Sequence, residues 1–436
     1  MQLTLIISII TFILLTASVL ILPQIKVGKF KFDGYVLASL LGAIFLLAFS
    51  LAPISEILSE LFSNAEINPL KILILFFSMT FLSVFLDETG LFTYLSSRAA
   101  ALAKGTQFTL FAIVYLLTAV LTVFTSNDVV ILTLTPFICT FCRHTDADPT
   151  PYLIGEFAAA NTWSMALIIG NPTNIYLATS AGIGFGEYLS VMVLPTVAAG
   201  IVEFLLICLL FLKKFKQPLV KKDVPCIVRS KSELIIGAIH LGVCLIFLVI
   251  SDYVGLQMWL ISACCAISLL IFILIKKAID NKNNKGSLVL SIKRLPWQLI
   301  PFVLSMFIIT VAFKAQGISA LIADFLGAEK CVFTYGVASY LASNLINNIP
   351  MSMLFSTLPT TLFGNAYYGA VYASVVGSNI GAFLTPVGAL AGIMFTNLTK
   401  RYNTKYGFKE FLKYGAIISL PTLLTALVVL QLIIKS

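Results

Sequence analysis

The sequence has little charge, almost no histidine and none of the short motifs that mark common classes of enzyme. Charged residues make up 11% of the 436 positions, whereas about 25% is usual in soluble domains. There is no Gly-x-x-x-x-Gly-Lys-Ser/Thr segment for nucleotide hydrolysis and no His-Glu-x-x-His segment for a metalloprotease. The two histidines are too few to bind a metal by themselves. We therefore expect no enzyme activity, no metal site and no cofactor.

Apolar residues are abundant instead, at 59% of the chain with a mean hydropathy of +1.01. Most lie in runs about long enough to cross the roughly 30 Å hydrocarbon core of a bilayer as a helix. The sequence therefore predicts an all-α polytopic membrane protein. The candidate spans are Leu3 to Leu22, Tyr35 to Ala52, Leu70 to Leu86, Tyr152 to Ser180, Tyr188 to Leu212, Leu234 to Ile250, Leu256 to Ile275, Leu299 to Phe313, Tyr367 to Leu398 and Phe411 to Ile434.

Two further apolar stretches, Phe108 to Cys142 and Cys331 to Leu362, are too long for one crossing. Each has a polar break at its middle, Ser126-Asn127-Asp128 in the first and Asn347-Asn348-Ile349-Pro350 in the second. The arms on either side, at about 14 residues, are short for a full span. The breaks also carry too little charge for a solvated loop. These features favour two re-entrant hairpins over two pairs of crossing helices.

Lysine and arginine concentrate in the cytoplasmic loops of membrane proteins. If both hairpins return to the face from which they enter, the basic loops all lie on one face. This arrangement places both termini outside and predicts insertion in the cell inner (plasma) membrane. The basic residues show no pattern typical of nucleic-acid binding. All but four of the 28 basic residues then lie inside, the exceptions being Lys71, Lys314, Lys330 and Lys435.

The two halves of the chain share a series of features that indicates an inverted repeat. Asn161 precedes Gly170 by nine residues, and Asn379 precedes Gly388 by the same nine. Each pair follows its hairpin break at a similar distance, so each half contains a hairpin and then a broken transmembrane helix. The predicted regions are scaffold spans at 1–106, the first hairpin and broken helix at 107–212, basic loops with two linking spans at 213–297, and the second repeat at 298–436.

Glycine and proline interrupt both broken helices, at Gly170 and Pro172 and at Pro386 and Gly388. Interrupted backbone within a membrane is tolerated only where it faces protein, a water-filled cavity or a bound solute. Neutral amides and hydroxyls beside the interruptions could replace the hydration shell of a small solute, or could bond neighbouring helices within kinked spans. The candidate substrate-binding residues are Ser126, Asn127, Asn171, Thr173, Asn174, Asn347, Asn348, Asn379 and Thr385.

Asp128 is the only acidic residue in either hairpin break. An ionisable group inside a membrane is costly and usually functional, so Asp128 is the candidate for binding the coupling ion, a proton. Its charge would repel a dianion in a cavity of low dielectric and favours a neutral or cationic solute. Asp87 and Glu88, at the end of a span, are expected to be solvated, whereas Glu156 and Glu203 could relay protons or bond a neighbouring helix.

Leu134-Thr135-Pro136 after the first break, the Asn347-Asn348-Ile349-Pro350 segment and the run from Gly377 to Ala391 resemble the arsenite and antimonite efflux pump membrane protein of the ion transporter superfamily. The resemblance extends over roughly Ser83 to Thr399. It implies a secondary transporter with a fixed scaffold and a mobile, elevator-like transport domain. It also implies a homodimer and allows a separate ATPase subunit. With Asp128 as the coupling residue, we expect proton-coupled efflux of arsenite or antimonite.

Sodium/proton antiporters and sodium-coupled organic-anion carriers belong to the same superfamily and stay open as alternatives, and an ion channel is an alternative of another class. Dicarboxylate carriers of the superfamily resemble one another in a Ser-Asn-Thr triplet at both hairpin tips. Here the third position is Asp128 in the first tip and Ile349 in the second. This departure favours a neutral or cationic solute over a carboxylate such as citrate or succinate.

Overall fold

The structure, a computed structural model, describes the chain except for residues 22–23, 28–29, 63–68, 103–105, 146, 219–229, 281–285, 359–361, 403, 405 and 436. The polar linker that we expected at residues 281–285 lies outside the described residues. So does much of the basic loop between residues 213 and 231.

The first half of the chain begins with a helix and a small β-hairpin, and the rest is helical. Its elements are α1 (Gln2–Ile21), β1 (Gln24–Val27), β2 (Phe30–Asp33), α2 (Gly34–Ala48), α3 (Ile54–Leu61), α4 (Pro69–Glu88), α5 (Leu91–Leu102), α6 (Gln107–Phe124), α7 (Asn127–Thr145), α8 (Thr150–Trp163), two 3-10 turns (Ser164–Ala166 and Ile168–Gly170), α9 (Pro172–Ser180), α10 (Phe185–Leu210) and α11 (Leu212–Phe215).

The described elements of the second half are all helices. Its elements are α12 (Lys231–Val249), α13 (Ser251–Val254), α14 (Met258–Asp280), α15 (Ser287–Arg294), α16 (Leu299–Ala315), α17 (Ile318–Leu326), α18 (Cys331–Ile346), α19 (Asn348–Phe355), α20 (Asn365–Gly381), α21 (Leu390–Arg401) and α22 (Phe408–Lys435). The predicted all-α class is confirmed, with the β-hairpin as an addition.

Seven helical segments of the described chain are long and apolar enough to cross a membrane. The spanning segments of α12 and α14 are only 22% buried within the protein, so their apolar side chains are left for lipid. These helices confirm an integral membrane protein. The arms of the first hairpin are longer than we expected, since α6 has 18 residues and α7 has 19, whereas α18 and α19 have 16 and 8.

The order of elements from α4 to α10 recurs from α16 to α22. In each series a long helix and a short one precede two helices joined at a polar break, and an interrupted helix and a long helix follow. The first break falls at Thr125 and Ser126, and the second falls at Asn347, which has a φ of 72°. The interruptions between α8 and α9 and between α20 and α21 lie where glycine and proline predict them.

Local capping explains where α9 begins after the first interruption. The Asn171 side chain accepts a hydrogen bond from the backbone N–H of Thr173 at 3.2 Å. Pro172 occupies the first turn, where the missing backbone N–H of proline costs no helical hydrogen bond. The helix therefore restarts with its amino end, which carries partial positive charge, inside the protein. This orientation sets polar groups beside the interruption.

Small residues allow α18 to pack closely along α20 and so fix the second hairpin to the second interrupted helix. A Cβ atom on Gly377 would collide with the side chain of Ser339 and the carbonyl of Gly336. A Cβ atom on Gly381 would lie 2.7 Å from the Tyr340 carbonyl. Elsewhere α10 packs along α22, and α9 packs against α19 and α20, so the two halves interlock.

Candidate functional site

A fully buried hydrogen-bond network joins the interrupted helices of the two halves at Asn379 of α20. The Asn379 side-chain oxygen accepts hydrogen bonds from the Ser164 hydroxyl and from Nδ2 of Asn171, each at 2.8 Å. Its own Nδ2 donates to Oδ1 of Asn174 at 2.6 Å and to the Val375 carbonyl at 2.8 Å. All four side-chain hydrogen-bonding positions of this amide are therefore occupied.

Two more residues extend this network. The Ser378 hydroxyl donates to the Thr173 hydroxyl at 2.8 Å. Asn174 donates from Nδ2 to the Ser164 carbonyl at 2.7 Å and to the Leu167 carbonyl at 3.2 Å, which satisfies carbonyl groups that the interruption frees. The candidate residues Asn171, Thr173, Asn174 and Asn379 therefore meet at one place, where they bond one another across the two halves.

The first hairpin break joins the hairpin to α8. Nδ2 of Asn127 donates to Oδ1 of Asn161 at 3.2 Å, and Oδ1 of Asn127 accepts from the backbone N–H of Asp128 at 2.9 Å. Asp128 lies in the first turn of α7, where the helix dipole favours negative charge. Among the described residues, no side chain forms an ion pair or a hydrogen bond with its carboxylate.

Several hydrogen bonds attach the second break, and Asn344 just before it, to the second interruption. Nδ2 of Asn347 donates to the Val387 carbonyl at 2.9 Å, and the backbone N–H of Asn348 donates to the Gly388 carbonyl at 2.9 Å. Oδ1 of Asn344 accepts from the Thr385 hydroxyl at 2.7 Å. The candidate residues Asn347, Asn348 and Thr385 thus belong to a second cluster.

An inner cavity of about 460 Å³ lies at the first break. Ser126 and Asp128 line it from the hairpin, Met394 and Asn397 line it from α21, and the opposite wall comes from the β-hairpin, α2, α4 and the segment between α15 and α16. Arg294 lies on that wall, next to basic residues that predict the cytoplasmic face. The cavity therefore separates the predicted scaffold from the predicted transport elements.

An outer cavity of about 480 Å³ lies at the other end of the same boundary, lined in part by Glu60 and Lys314. A small void of about 20 Å³ lies between the two cavities. Its mainly apolar lining includes Phe76, which also lines the inner cavity, and Tyr176, which also lines the outer one. Mainly apolar side chains therefore form a narrow constriction between the two cavities.

The inner wall carries one strong ion-pair cluster. Nη1 of Arg294 lies 2.6 Å from Oδ2 of Asp87 and 2.6 Å from Oε1 of Glu88. The expectation that these two acids are solvated is wrong, because their side chains are only 6% and 10% exposed and share one guanidinium. Two carboxylates thus outweigh the Arg294 charge. Burial also raises the pKa of Asp33 on this wall, although hydrogen bonds from Gln24 and Tyr35 partly oppose the rise.

The sequence missed several residues of these clusters. Asn344 precedes Asn347 and Asn348 by three and four positions, a helical spacing that could have indicated it. Ser164 and Ser378 gave no signal, since isolated serines are common in membrane helices. No cluster of three or more histidine, cysteine or acidic side chains able to hold a metal occurs in the described part of the chain.

Known proteins resemble the chain over most of its length. Residues 34–371 match the family model described as Citrate transporter. The arsenical pump membrane protein of Escherichia coli strain K12 is 26% identical over 372 residues, covering 82% of this chain and 85% of that protein. The P protein of Mus musculus is 30% identical over 210 residues, covering 47% of this chain and 25% of that protein.

A solved structure, that of the YdaH transporter of Alcanivorax borkumensis, has the same fold. It covers 99% of this chain and 98% of its own, with a TM-score of 0.58 and 15% sequence identity. The relatives and the helical membrane bundle with its two interrupted helices together identify the protein as a membrane transporter for a small solute. The chain belongs to the citrate transporter family.

Proposed function

We propose that this protein is a proton-coupled exporter of trivalent arsenite or antimonite hydroxide, working by elevator-like alternating access. The observation that carries the proposal is Asp128, a carboxylate that faces the inner cavity from the first hairpin break without a described partner. Such a group can bind and release a proton from the cavity. The similarity to an arsenical pump membrane protein supports the choice of solute.

The charge of the inner cavity supports a neutral or cationic solute. Asp33, Asp128, Lys293 and Arg294 line it, and Arg294 is paired with Asp87 and Glu88, so four acidic side chains stand against two basic ones. A dianion such as citrate would meet net negative charge there, at a cost that grows as the local dielectric falls. An uncharged hydroxide needs only neutral donors and acceptors, and Ser126, Gln298 and Asn397 supply these on the cavity wall.

The paired cavities support alternating access rather than a channel. An open channel has a continuous water-filled path, whereas here mainly apolar side chains lie between an inner and an outer cavity. We infer that the tips and interrupted helices, related as an inverted repeat, move as one body against the scaffold. The basic loops then face the cytoplasm with both termini outside the plasma membrane. A homodimer and a separate ATPase subunit stay predictions from the resemblance.

Transport in proteoliposomes tests the proposal, with arsenite, sodium and citrate as substrates, each with and without a pH gradient. We expect saturable arsenite flux that follows the pH gradient. Flux of citrate stimulated by sodium, with no effect of pH, would instead establish a sodium-coupled organic-anion carrier. Sodium flux driven by pH would establish a sodium/proton antiporter, and flux that never saturates would establish a channel.

A further inference from the structure

Glu203 lies two turns before the end of α10, and its carboxyl group is fully buried. Oε1 is 2.9 Å from the hydroxyl oxygen of Tyr115 on α6. Oε2 contacts the hydroxyl of Thr162, near the end of α8. The Tyr115 oxygen also lies 2.8 Å from the Gly200 carbonyl oxygen and accepts a hydrogen bond from Nε1 of Trp163 at 3.3 Å.

A count of the hydrogen-bonding protons in this cluster indicates whether Glu203 is ionised or neutral. Three pairs of oxygen atoms are in hydrogen-bond contact, namely Tyr115 with Gly200, Tyr115 with Glu203, and Thr162 with Glu203. The two hydroxyls supply only two protons. With an ionised Glu203, one pair of oxygen atoms would face each other without a proton, which is repulsive. A protonated Glu203 supplies the third proton, so that every contact is a hydrogen bond.

No positive charge balances Glu203 among the described residues. Tyr115 is the ionisable group in contact with it, and Cys208 follows on the same helix. His240 on α12 bonds Ile236 and Ser268, and Tyr414 on α22 packs against Phe211, about two turns further along α10. The other charged side chains described on helices that pack against α10 are Glu156, Lys213, Lys214, Lys231, Glu233, Lys409, Glu410 and Lys413.

Those lysines lie near the ends of their helices, and the described ion pairs do not include Glu203. An unpaired ion in a protein interior costs several kcal/mol. We propose that Glu203 is a proton-binding site of this protein, occupied in this conformation, in which the neutral acid donates to Tyr115 and Tyr115 donates to the Gly200 carbonyl. The site is distinct from Asp128 and does not depend on which solute is transported.

The position of this site gives it a structural role. Thr162 and Trp163 directly precede the first interruption, so the protonated Glu203 holds the end of α8 between α6 and α10. Loss of the proton would leave one oxygen contact without a hydrogen bond and a charge without a partner. We therefore expect proton release to loosen α8 from its neighbours at the interruption.

Infrared difference spectroscopy of the protein in membranes at neutral pH tests this inference. Glu203→Gln preserves the hydrogen bonds of the neutral acid, because its amide can donate to Tyr115 and accept from Thr162. The parent should show a carboxylic-acid carbonyl band, sensitive to deuterium exchange, that disappears in Glu203→Gln. The matched variant Glu156→Gln, at another fully buried glutamate, should keep that band. Loss of carboxylate bands instead would overturn the proposal.

A second variant covers the case in which Glu203→Gln does not fold. Tyr115→Phe removes the oxygen that accepts the hydrogen bond from the acid. The Glu203 carbonyl band should then move to higher frequency while the bands of other buried acids stay in place. An unchanged set of carboxylic-acid bands in Tyr115→Phe would contradict the assignment of the proton to Glu203.

Discussion

The side-chain amide of Asn379 donates a hydrogen bond to Oδ1 of Asn174 across 2.6 Å, between residues 205 positions apart in the chain. The bond joins the two halves at their interruptions. Asn379 also accepts from Ser164 and Asn171, so one amide organises three polar partners. The network can transmit a displacement of one interrupted helix to the other because none of its described members is left without a partner.

Replacing Asn379 by alanine should lower both thermal stability and transport while leaving membrane insertion intact. The change leaves Nδ2 of Asn171 without an acceptor and Oδ1 of Asn174 without its nearest donor, at about 1 to 3 kcal/mol for each unsatisfied group, whereas the Ser164 hydroxyl keeps the Asn161 carbonyl as its acceptor. Asn365→Ala on the same helix is the control, because Asn365 is exposed and bonds one carbonyl group at the end of α22. Thermal denaturation and proteoliposome flux measure the effects, and normal values of both in Asn379→Ala would exclude this role.

Gly377→Ala should destabilise the protein by about 1 to 3 kcal/mol, the usual cost of an extra methyl group in a close contact. The added Cβ has no room between α18 and α20. Gly242→Ala on α12 is the matched control, because nothing lies within 4 Å of a Cβ there. Alanine favours a helix more than glycine does, so the control should be neutral or stabilising. Equal denaturation temperatures for the two variants would refute the close packing of α18 on α20.

Arg294→Met should destabilise the inner wall because Asp87 and Glu88 lose their shared cation. The expected loss is below the about 3 to 5 kcal/mol typical of a fully buried pair, since 31% of the Arg294 side chain is exposed. Adding Asp87→Asn should restore part of the stability by removing one unpaired charge. Lys293→Met is the control at the neighbouring position. A double variant less stable than Arg294→Met would contradict this account of the cluster.

Phe76→Ala should let solute leak downhill without a pH gradient, because Phe76 lines both the inner cavity and the constriction. The neighbouring Phe77 lies on an apolar groove instead, so Phe77→Ala is the matched control. Flux in vesicles without any ion gradient measures the leak. No leak from Phe76→Ala, or the same leak from both variants, would show that the constriction does not close the path.

The membrane spans, the two hairpin breaks and the interrupted helices could be predicted from the sequence. These features follow from long apolar runs and from the positions of glycine, proline and asparagine, which are visible in neighbouring residues of the chain. The short helices α5, α15 and α17 were missed, since 8 to 12 residues are too few to stand out as spans. The first hairpin also has longer arms than predicted, because its helices extend beyond the apolar stretch and include polar residues such as Gln107 and Thr145.

The candidate site was only partly predictable. Ser126 and Asp128 line the inner cavity, as a polar break in an apolar stretch suggests. Asn379 bonds Asn171 and Asn174, as expected if these amides join neighbouring helices rather than bind solute. The residue types alone do not distinguish these two roles. The pairing of Arg294 with Asp87 joins residues 207 positions apart, and only the folded chain brings them together.

Asp128→Asn tests the central claim most directly, with Asp33→Asn as a control because Asp33 lines the same cavity. The measurement is arsenite accumulation in proteoliposomes under an imposed pH gradient, together with arsenite exchange at equilibrium. Asparagine keeps the shape of the side chain but cannot titrate. We predict that Asp128→Asn exchanges arsenite but does not accumulate it, whereas Asp33→Asn does both. Accumulation by Asp128→Asn equal to that of the parent would contradict proton coupling through Asp128.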